Sequence, residues 1–225
     1  ADLVKKIIEK SNNIKVVYPG AEDLRSIESD AFLSIKGDPV LLTLARLEKR
    51  KGHANILQAI QKLKNNFPNI KYIIAGEGDQ KRNLEQLVRE YNLKNNVIFT
   101  GNVNEKQKKH IYNNTSLMIM PTIDESHNRS IEGFGIAYIE AAFFGIPSLA
   151  SNVGGTPEAV LDNQTGVIIN NNEELFQILN ELLINKNKLN QLGVNAKKRA
   201  EQLFTWDQVV KNYLECLRNG PESKN

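Results

Sequence analysis

Short apolar segments alternate with longer amphipathic segments along most of the chain. Six segments of four to six residues are nearly continuous in apolar residues, mainly Val, Ile and Leu. This pattern is typical of strands in a parallel sheet that helices cover on both sides. The predicted strands are residues 40–45, 70–75, 96–100, 117–121, 147–151 and 166–169.

Between these strands, apolar residues recur at helical spacing, as in residues 53–66, where Ile56, Ile60 and Leu63 share one face. The same spacing predicts helices at residues 80–91, 105–113, 136–144, 157–161, 173–184, 186–203 and 206–218. The alternation predicts an α/β fold, a doubly wound parallel sheet in a single Rossmann-like domain. Ligands of such sheets bind at the carboxyl ends of the strands, so a site is expected in the loops that follow the strands.

The two ends of the chain depart from this alternation. Residues 3–10 predict a short amphipathic helix and residues 14–17 a short strand, ahead of the turn Tyr18-Pro19-Gly20. The last two predicted helices have no strand between them, and a polar tail follows. We therefore divide the chain into residues 1–20, 21–203, 204–218 and 219–225.

Composition narrows the class of protein. The 225 residues are 40% hydrophobic and 24% charged, enough to form a core without disulfides. A single cysteine excludes an intramolecular disulfide and fits a reducing compartment, and with only three histidines we expect no metal site. The 29 basic and 26 acidic residues give a net charge of +3, too small for a nucleic-acid-binding protein. No apolar run approaches the ~20 residues of a membrane span.

The loop after the first predicted strand is rich in cations. Residues 45–53 include Arg46, Lys49, Arg50 and Lys51 and lead directly into a predicted helix. Cations next to a helix N-terminus are what a diphosphate requires. From the charge alone a solvated basic turn is the better interpretation, and a diphosphate site stays open.

The loop after the second strand contains Gly76 and Gly78, a weak sign of close approach between backbone and ligand. The dinucleotide-binding fingerprint needs a third glycine at position 81, where this chain has Lys81. A tight turn is therefore the better interpretation here.

The segment before the helix predicted at residues 136–144 carries the strongest chemical signal. Glycines at Gly133 and Gly135 free the backbone to approach an anion at the positive end of the helix. Glu132 lies just outside the helix and Glu140 about one turn inside it, so both carboxylates can border one ligand. Compensation of the helix dipole would explain Glu140 alone, but it does not explain Glu132.

Four motifs stand in a fixed order along the chain: the turn Tyr18-Pro19-Gly20-Ala21-Glu22; Arg46 followed five residues later by Lys51-Gly52; Phe99-x-Gly101-x-Val103; and Glu132 and Glu140 with seven residues between them. In this order they resemble the donor-binding half of retaining glycosyltransferases of family 4, which have the GT-B architecture. The match extends over nearly the whole chain. Any one of the motifs alone would be weak.

The resemblance implies a catalytic set of Arg46, Lys51 and Glu132. Arg46 and Lys51 would bind the diphosphate of a nucleotide-sugar and stabilise the negative charge that develops as it departs, without a metal ion. Glu132 would face the donor sugar. The family has no agreed enzymic nucleophile, so none is assigned.

The resemblance also implies further donor-binding residues. The backbone of Val103 would contact the nucleobase, and Glu140 would accept hydrogen bonds from the ribose hydroxyls. The amides of Phe134, Gly135 and Ile136 would face the sugar and its phosphate. The donor is expected to be a UDP- or GDP-linked hexose, with no cofactor.

Enzymes of this family have two Rossmann-like domains, and this chain has strands for only one. Residues 1–20 would then be the end of the first domain and the linker, residues 21–203 the donor-binding domain, and residues 204–218 a helix that crosses back to the first domain. As an isolated piece, the chain is expected to bind nucleotide but not to transfer sugar. Trp206 is expected either to be partly exposed or to be an ordinary core residue.

Family membership suggests retaining transfer to a glycan or glycolipid acceptor in bacterial surface polysaccharide or lipopolysaccharide synthesis. The expected location is the cytoplasm, with peripheral contact at the inner face of the membrane left open. The main alternative is a non-catalytic nucleotide-sugar-binding or regulatory module. A Rossmann dehydrogenase is disfavoured because it needs the third glycine and an acidic residue about 20 residues further on. A nucleic-acid binder lacks the necessary charge.

Overall fold

The computed structural model describes residues 15–125 and 132–218. Six strands form one parallel sheet in the order β3-β2-β1-β4-β5-β6. The strands are β1 (Val40–Leu44), β2 (Lys71–Ala75), β3 (Val97–Gly101), β4 (Leu117–Met120), β5 (Ser148–Ser151) and β6 (Gly166–Ile169). The predicted fold class, a doubly wound parallel α/β sheet, is confirmed.

Helices connect the strands and cover both faces of the sheet. They are α1 (His53–Leu63), α2 (Lys81–Glu90), α3 (Glu105–Asn113), α4 (Ile136–Phe143), α5 (Thr156–Ala159), α6 (Leu175–Ile184), α7 (Lys186–Leu203) and α8 (Trp206–Arg218). Short 3₁₀ turns occur at Leu24–Ser26 and Lys49–Lys51. The predicted helix ends differ from these by up to three residues. At the end of α1, the amides of Asn66 and Phe67 donate to the carbonyl of Leu63 in a turn that does not continue the helix.

The strand predicted at residues 14–17 is wrong for the part that is described. Residues 15–17 have no strand structure, and they pair with none of the six strands. A two-sided sheet buries both faces of its strands, whereas Lys15 and Val16 are exposed. The helix predicted at residues 3–10 and the polar tail at residues 219–225 lie outside the described residues.

The core consists of two layers, one on each face of the sheet. Along β1, Leu41 packs into the layer formed by α1, α2 and α6, and the next residue, Leu42, packs into the layer formed by α3, α4 and α7. Alternate residues of a strand point to opposite faces, so a strand buried on both sides is apolar along most of its length, and a buried polar residue such as Thr43 is hydrogen-bonded. This is why the strands could be recognised as continuous apolar runs.

The order of the strands places a crevice between β1 and β4. The chain moves outward from β1 to β2 and β3, then returns to the other side of β1 with β4. Doubly wound sheets bind ligands at such a switch point. The loop after β1 lies against the end of β4 here: Gly52 has a φ of 73°, and a Cβ at this position would collide with the carbonyl of Pro121.

The last helix packs only loosely on the rest of the chain. The amide of Ala21 donates to the carbonyl of Phe204 at 2.9 Å, and the ring of Trp206 lies on the backbone of Gly20. Trp206 remains 54% exposed. The expectation of partial exposure is therefore confirmed, and that of a plain core residue is wrong.

Candidate functional site

The first part of the site is the 3₁₀ turn Lys49–Lys51 after β1. The turn and the left-handed Gly52 direct the buried Lys51 toward the segment before α4, where its ammonium donates to Glu132 Oε2. Arg50 donates to the same carboxylate oxygen at 3.3 Å. Two predicted residues, Lys51 and Glu132, are thus in direct contact although 81 positions separate them.

Arg46 joins this group only through intermediate residues. Its guanidinium pairs with Glu48 at 2.7 Å, and its side chain is 73% exposed. The other oxygen of Glu48 accepts from Arg50 Nε at 2.9 Å. Charges therefore alternate along Arg46, Glu48, Arg50 and Glu132. No role was predicted for Glu48, and Arg50 was counted only as one of the cations of this loop. The alternating sign of Arg46, Glu48 and Arg50 was the available signal.

The second part of the site is the N-terminus of α4. Gly135 precedes the helix with a φ of 89°, and no side chain caps the helix. The first amides of a helix have no partner within the helix, and among the described contacts the amides of Phe134, Gly135 and Ile136 have none either. Ile136 is exposed at this end of the helix. The role expected for the amides of Phe134, Gly135 and Ile136 in binding an anion stays a prediction.

Two loops meet backbone to backbone at this point. The amide of Gly155, in the loop after β5, donates to the carbonyl of Glu132 at 3.0 Å. A Cβ on Gly155 would collide with the carbonyl of Gly133. This close contact fixes the segment that carries Glu132 against the sheet.

The side chain of Phe134 has a role apart from its amide. Its ring stacks on Tyr18 at 5.5 Å and meets Phe204 edge-on at 5.7 Å. The guanidinium of Arg199 lies 4.7 Å above the ring of Phe204. The aromatic cluster links the segment before α4 to both ends of the described chain, and no sequence signal indicated it.

Glu140 is buried in α4 and already has two partners. Lys108 Nζ lies 3.0 and 3.2 Å from its two carboxylate oxygens, and the hydroxyl of Tyr112 donates to Oε2 at 2.8 Å. Burial raises the pKa of Tyr112 well above its usual value, and the charge of Glu140 adds to this effect. Tyr112 therefore stays protonated and donates to Glu140. Lys108 and Tyr112 both lie on α3, and neither was predicted from the sequence as a partner of Glu140.

A cleft of about 390 Å³ opens at the carboxyl ends of β1, β2 and β3. Arg46, Glu77, Val103 and Lys108 are among the residues that line it. The volume is within the range of small-molecule sites. Val103 and Arg46, predicted to contact the base and the diphosphate, therefore border one cleft, and Lys108 connects that cleft to Glu140.

The buried imidazole of His53 connects the end of the basic loop to the sheet. His53 Nδ1 lies 3.0 Å from the hydroxyl of Tyr72, which lies 2.9 Å from Thr43 Oγ1. Burial lowers the pKa of His53 to about 4, so this imidazole is neutral at ordinary pH. His53 begins α1, one residue after Gly52, and the hydrogen bonds tie the start of this helix to β1 and β2.

Within the described residues, no three His, Cys, Asp or Glu side chains are grouped so that they could hold a metal ion. In the same part of the chain, no helix combines the length and the apolar character needed to cross a membrane.

The fold and the site define a Rossmann-like domain with cations and an uncapped helix N-terminus near its switch point. The family model for glycosyl transferases group 1 matches residues 25–199, and the chain belongs to this family. The family was predicted from the four motifs, and at this level the prediction is confirmed.

Two mannosyltransferases are among the relatives. A "GDP-mannose-dependent alpha-(1-6)-phosphatidylinositol monomannoside mannosyltransferase" of Mycobacterium tuberculosis is 26% identical over 182 residues, which cover 80% of this chain and 47% of that protein. The "O-antigen chain mannosyltransferase C" of Escherichia coli is 26% identical over 226 residues, covering 97% of this chain and 58% of that protein.

The solved structures show the same fold. Anabaena HepE in complex with UDP and glucose superposes with a TM-score of 0.69 at 22% identity, covering 80% of this chain and 48% of HepE. Such neighbours are GT-B glycosyltransferases, in agreement with the predicted architecture. The chain spans about half the length of the curated relatives that it matches.

Proposed function

We propose that this chain is the donor-binding part of a glycosyltransferase that takes a UDP- or GDP-linked hexose. The observation that carries the proposal is the contact of Lys51 with Glu132 beside the uncapped N-terminus of α4. Cations lie there beside helix amides that have no partner among the described contacts, and both suit a diphosphate, while a carboxylate can accept from sugar hydroxyls.

In this proposal, the two cations act on the departing diphosphate. Breaking the bond between sugar and phosphate leaves negative charge on the nucleoside diphosphate. Lys51 has three N–H donors, so it can keep its contact with Glu132 and still donate to a phosphate oxygen. Arg46, which is exposed at the cleft, supplies the second cation. Fixed donors aimed at developing charge lower the barrier, and the charge needs no metal ion to balance it.

Each further donor-binding residue keeps a separate role. The amides of Phe134, Gly135 and Ile136 bind the phosphate next to the sugar, and Glu132 faces the sugar. Val103 contacts the base from the cleft. Glu140 binds the ribose. Transfer with retention of configuration follows from the resemblance to family 4 alone.

For the whole protein, we propose a glycan or glycolipid acceptor, bound by a second domain in the cytoplasm. The names of the two mannosyltransferase relatives support this class of acceptor, because one acts on a phosphatidylinositol mannoside and the other on an O-antigen chain. Residues 1–20 and α8 would connect the donor domain to the second domain. The chain alone would then bind donor without transferring sugar.

Calorimetric titration with UDP, GDP and ADP in metal-free buffer tests the proposed site. UDP or GDP should bind more tightly than ADP, and Lys51→Met should weaken that binding about tenfold or more, because a charge-assisted hydrogen bond to phosphate is lost. Lys49→Met is the matched control: Lys49 lies in the same turn, but its side chain is exposed.

The control should bind nucleotide as the unchanged chain does. Thermal unfolding of each variant shows whether an affinity change reflects loss of fold. If none of the three nucleotides binds, the proposed function is wrong. If Lys51→Met and Lys49→Met bind equally well, the diphosphate does not lie at Lys51.

A further inference from the structure

Lys108 is the unassigned residue with the clearest relation to the cleft. It lines the cleft beside Arg46 and Val103, and its side chain is 23% exposed. Its ammonium contacts both oxygens of Glu140. Glu140 is not among the residues that line the cleft, but its carboxylate contacts the Lys108 ammonium and 10% of its side chain is exposed, so a group that reaches Lys108 is next to this carboxylate.

Among the described contacts, Lys108 and Glu140 do not use all of their hydrogen-bonding capacity. A carboxylate accepts about four hydrogen bonds, and Glu140 receives two from Lys108 and one from Tyr112 among the described contacts. An ammonium donates three, and Lys108 gives two to Glu140. One acceptor site and one donor therefore remain side by side. A hydroxyl group, which donates and accepts at once, is complementary to both.

We propose that Lys108 is a ribose-recognition residue, which forms a two-sided hydroxyl-binding pair with Glu140. The inference rests on the proposed function, since a nucleoside diphosphate in the cleft supplies the ribose. One ribose hydroxyl donates to Glu140, and its oxygen or that of the neighbouring hydroxyl accepts from Lys108. The pair therefore recognises the sugar of the nucleotide through an ion pair, not through a lone carboxylate.

Other lysines of α3 do not share this position. Lys106 pairs with Glu28 on the exposed surface, and Lys109 donates to the carbonyls of Arg25 and Ile27. Tyr112 holds Glu140 from within the core. A purely structural partner for Glu140 is thus already present, and Lys108 adds a donor on the side of the cleft.

Titration with ribose and deoxyribose nucleotides tests the proposal. The ligands are UDP and GDP with their 2′-deoxy and 3′-deoxy analogues, and the proteins are the unchanged chain, Lys108→Met, Lys108→Arg and the control Lys106→Met. The unchanged chain should bind the ribonucleotide about tenfold or more tightly than at least one deoxy analogue, because a charged hydrogen bond is lost with the hydroxyl. Lys106→Met removes the same charge from the same helix and should leave this ratio unchanged.

Lys108→Met should weaken binding of the ribonucleotide about tenfold and bring the ratio closer to one. Lys108→Arg should keep most of the preference, because a cationic donor remains. If Lys108→Met fails to fold, the affinity ratio between ribonucleotide and deoxy analogue in Lys108→Arg still tests the proposal.

Three results would overturn the inference. Deoxy analogues that bind the unchanged chain as tightly as the ribonucleotide would show that the pair does not read the ribose. A ratio that survives in Lys108→Met would assign the preference to other residues. Both results would leave the proposed function standing. If no nucleotide binds to the unchanged chain, the proposed function and this inference fail together.

Discussion

At the scale of single residues, the site depends on side chains that bind each other as well as on those that would bind a ligand. Glu132 is held by Lys51 and Arg50, and Arg50 is itself held by Glu48. The side chains of Arg50 and Glu132 are both about nine-tenths buried. Partly desolvated ion pairs of this kind fix geometry, because loss of one partner leaves a charge without compensation.

Arg50→Met should therefore lower the free energy of unfolding by about 1–3 kcal/mol, since a largely buried carboxylate loses one of its cations. Urea unfolding gives the value. Nucleotide affinity should fall less than in Lys51→Met, because Arg50 acts by positioning Glu132. Arg82→Met, at an exposed position of α2, is the control. Equal stability of the two variants would show that Arg50 does not hold Glu132 in solution.

At the scale of elements, the segment before α4 is held by backbone contacts. The loop after β5 approaches so closely that its glycine cannot carry a side chain: a Cβ on Gly155 would meet the carbonyl of Gly133. The amide of Gly155 also donates to the carbonyl of Glu132. The position of Glu132 thus depends on a residue that would take no part in binding through a side chain.

Gly155→Ala should separate the two loops and displace Glu132 from Lys51. We expect nucleotide affinity to fall at least as far as in Lys51→Met and thermal stability to decrease, since the collision involves backbone atoms that cannot rotate away. Gly145→Ala gives a contrasting glycine substitution, because its Cβ meets only an ordinary contact, although its positive φ also carries strain. If Gly155→Ala binds nucleotide as tightly as the unchanged chain, the two loops can separate without loss of the binding site.

Most of the elements could be predicted from the sequence because each strand is apolar on both faces and each helix is apolar on one. The short strand expected at residues 14–17 was wrong, since a few apolar residues do not show whether a neighbouring strand exists to pair with them. The same limit applies to the site. Lys51 and Glu132 stood in recognisable motifs, but the contacts of Arg50 and Lys108 join distant positions that only the folded topology brings together.

At the scale of the whole molecule, the last helix carries an uncovered apolar face. Trp206, Val210, Tyr213, Leu214 and Leu217 are each 43–62% exposed along α8. A contiguous exposed apolar patch of this kind is typical of an interaction surface. It agrees with the observation that the chain spans about half the length of its curated relatives.

This chain should therefore show no sugar transfer in an assay with radiolabelled UDP- or GDP-hexose and a glycolipid acceptor, although it binds the nucleotide. The reason is that acceptor binding is assigned to a second domain. If the proposed division of roles holds, this chain joined to the proposed acceptor-binding domain should transfer sugar under the same conditions, and it serves as the positive control. Turnover by the 225-residue chain would contradict the division of roles.

Three glycines lie near Glu132: Gly133, Gly135 and Gly155. They differ in how well they would tolerate a side chain, which matters for changing the sugar that the site would accept. Gly155 has no room for a side chain, and Gly135 combines a positive φ with the ring of Tyr138 close by. A Cβ on Gly133 meets no atom of the described residues within 4 Å. If Glu132 faces the sugar as proposed, position 133 is where a small library of side chains could change sugar preference with the least disturbance of the surrounding fold.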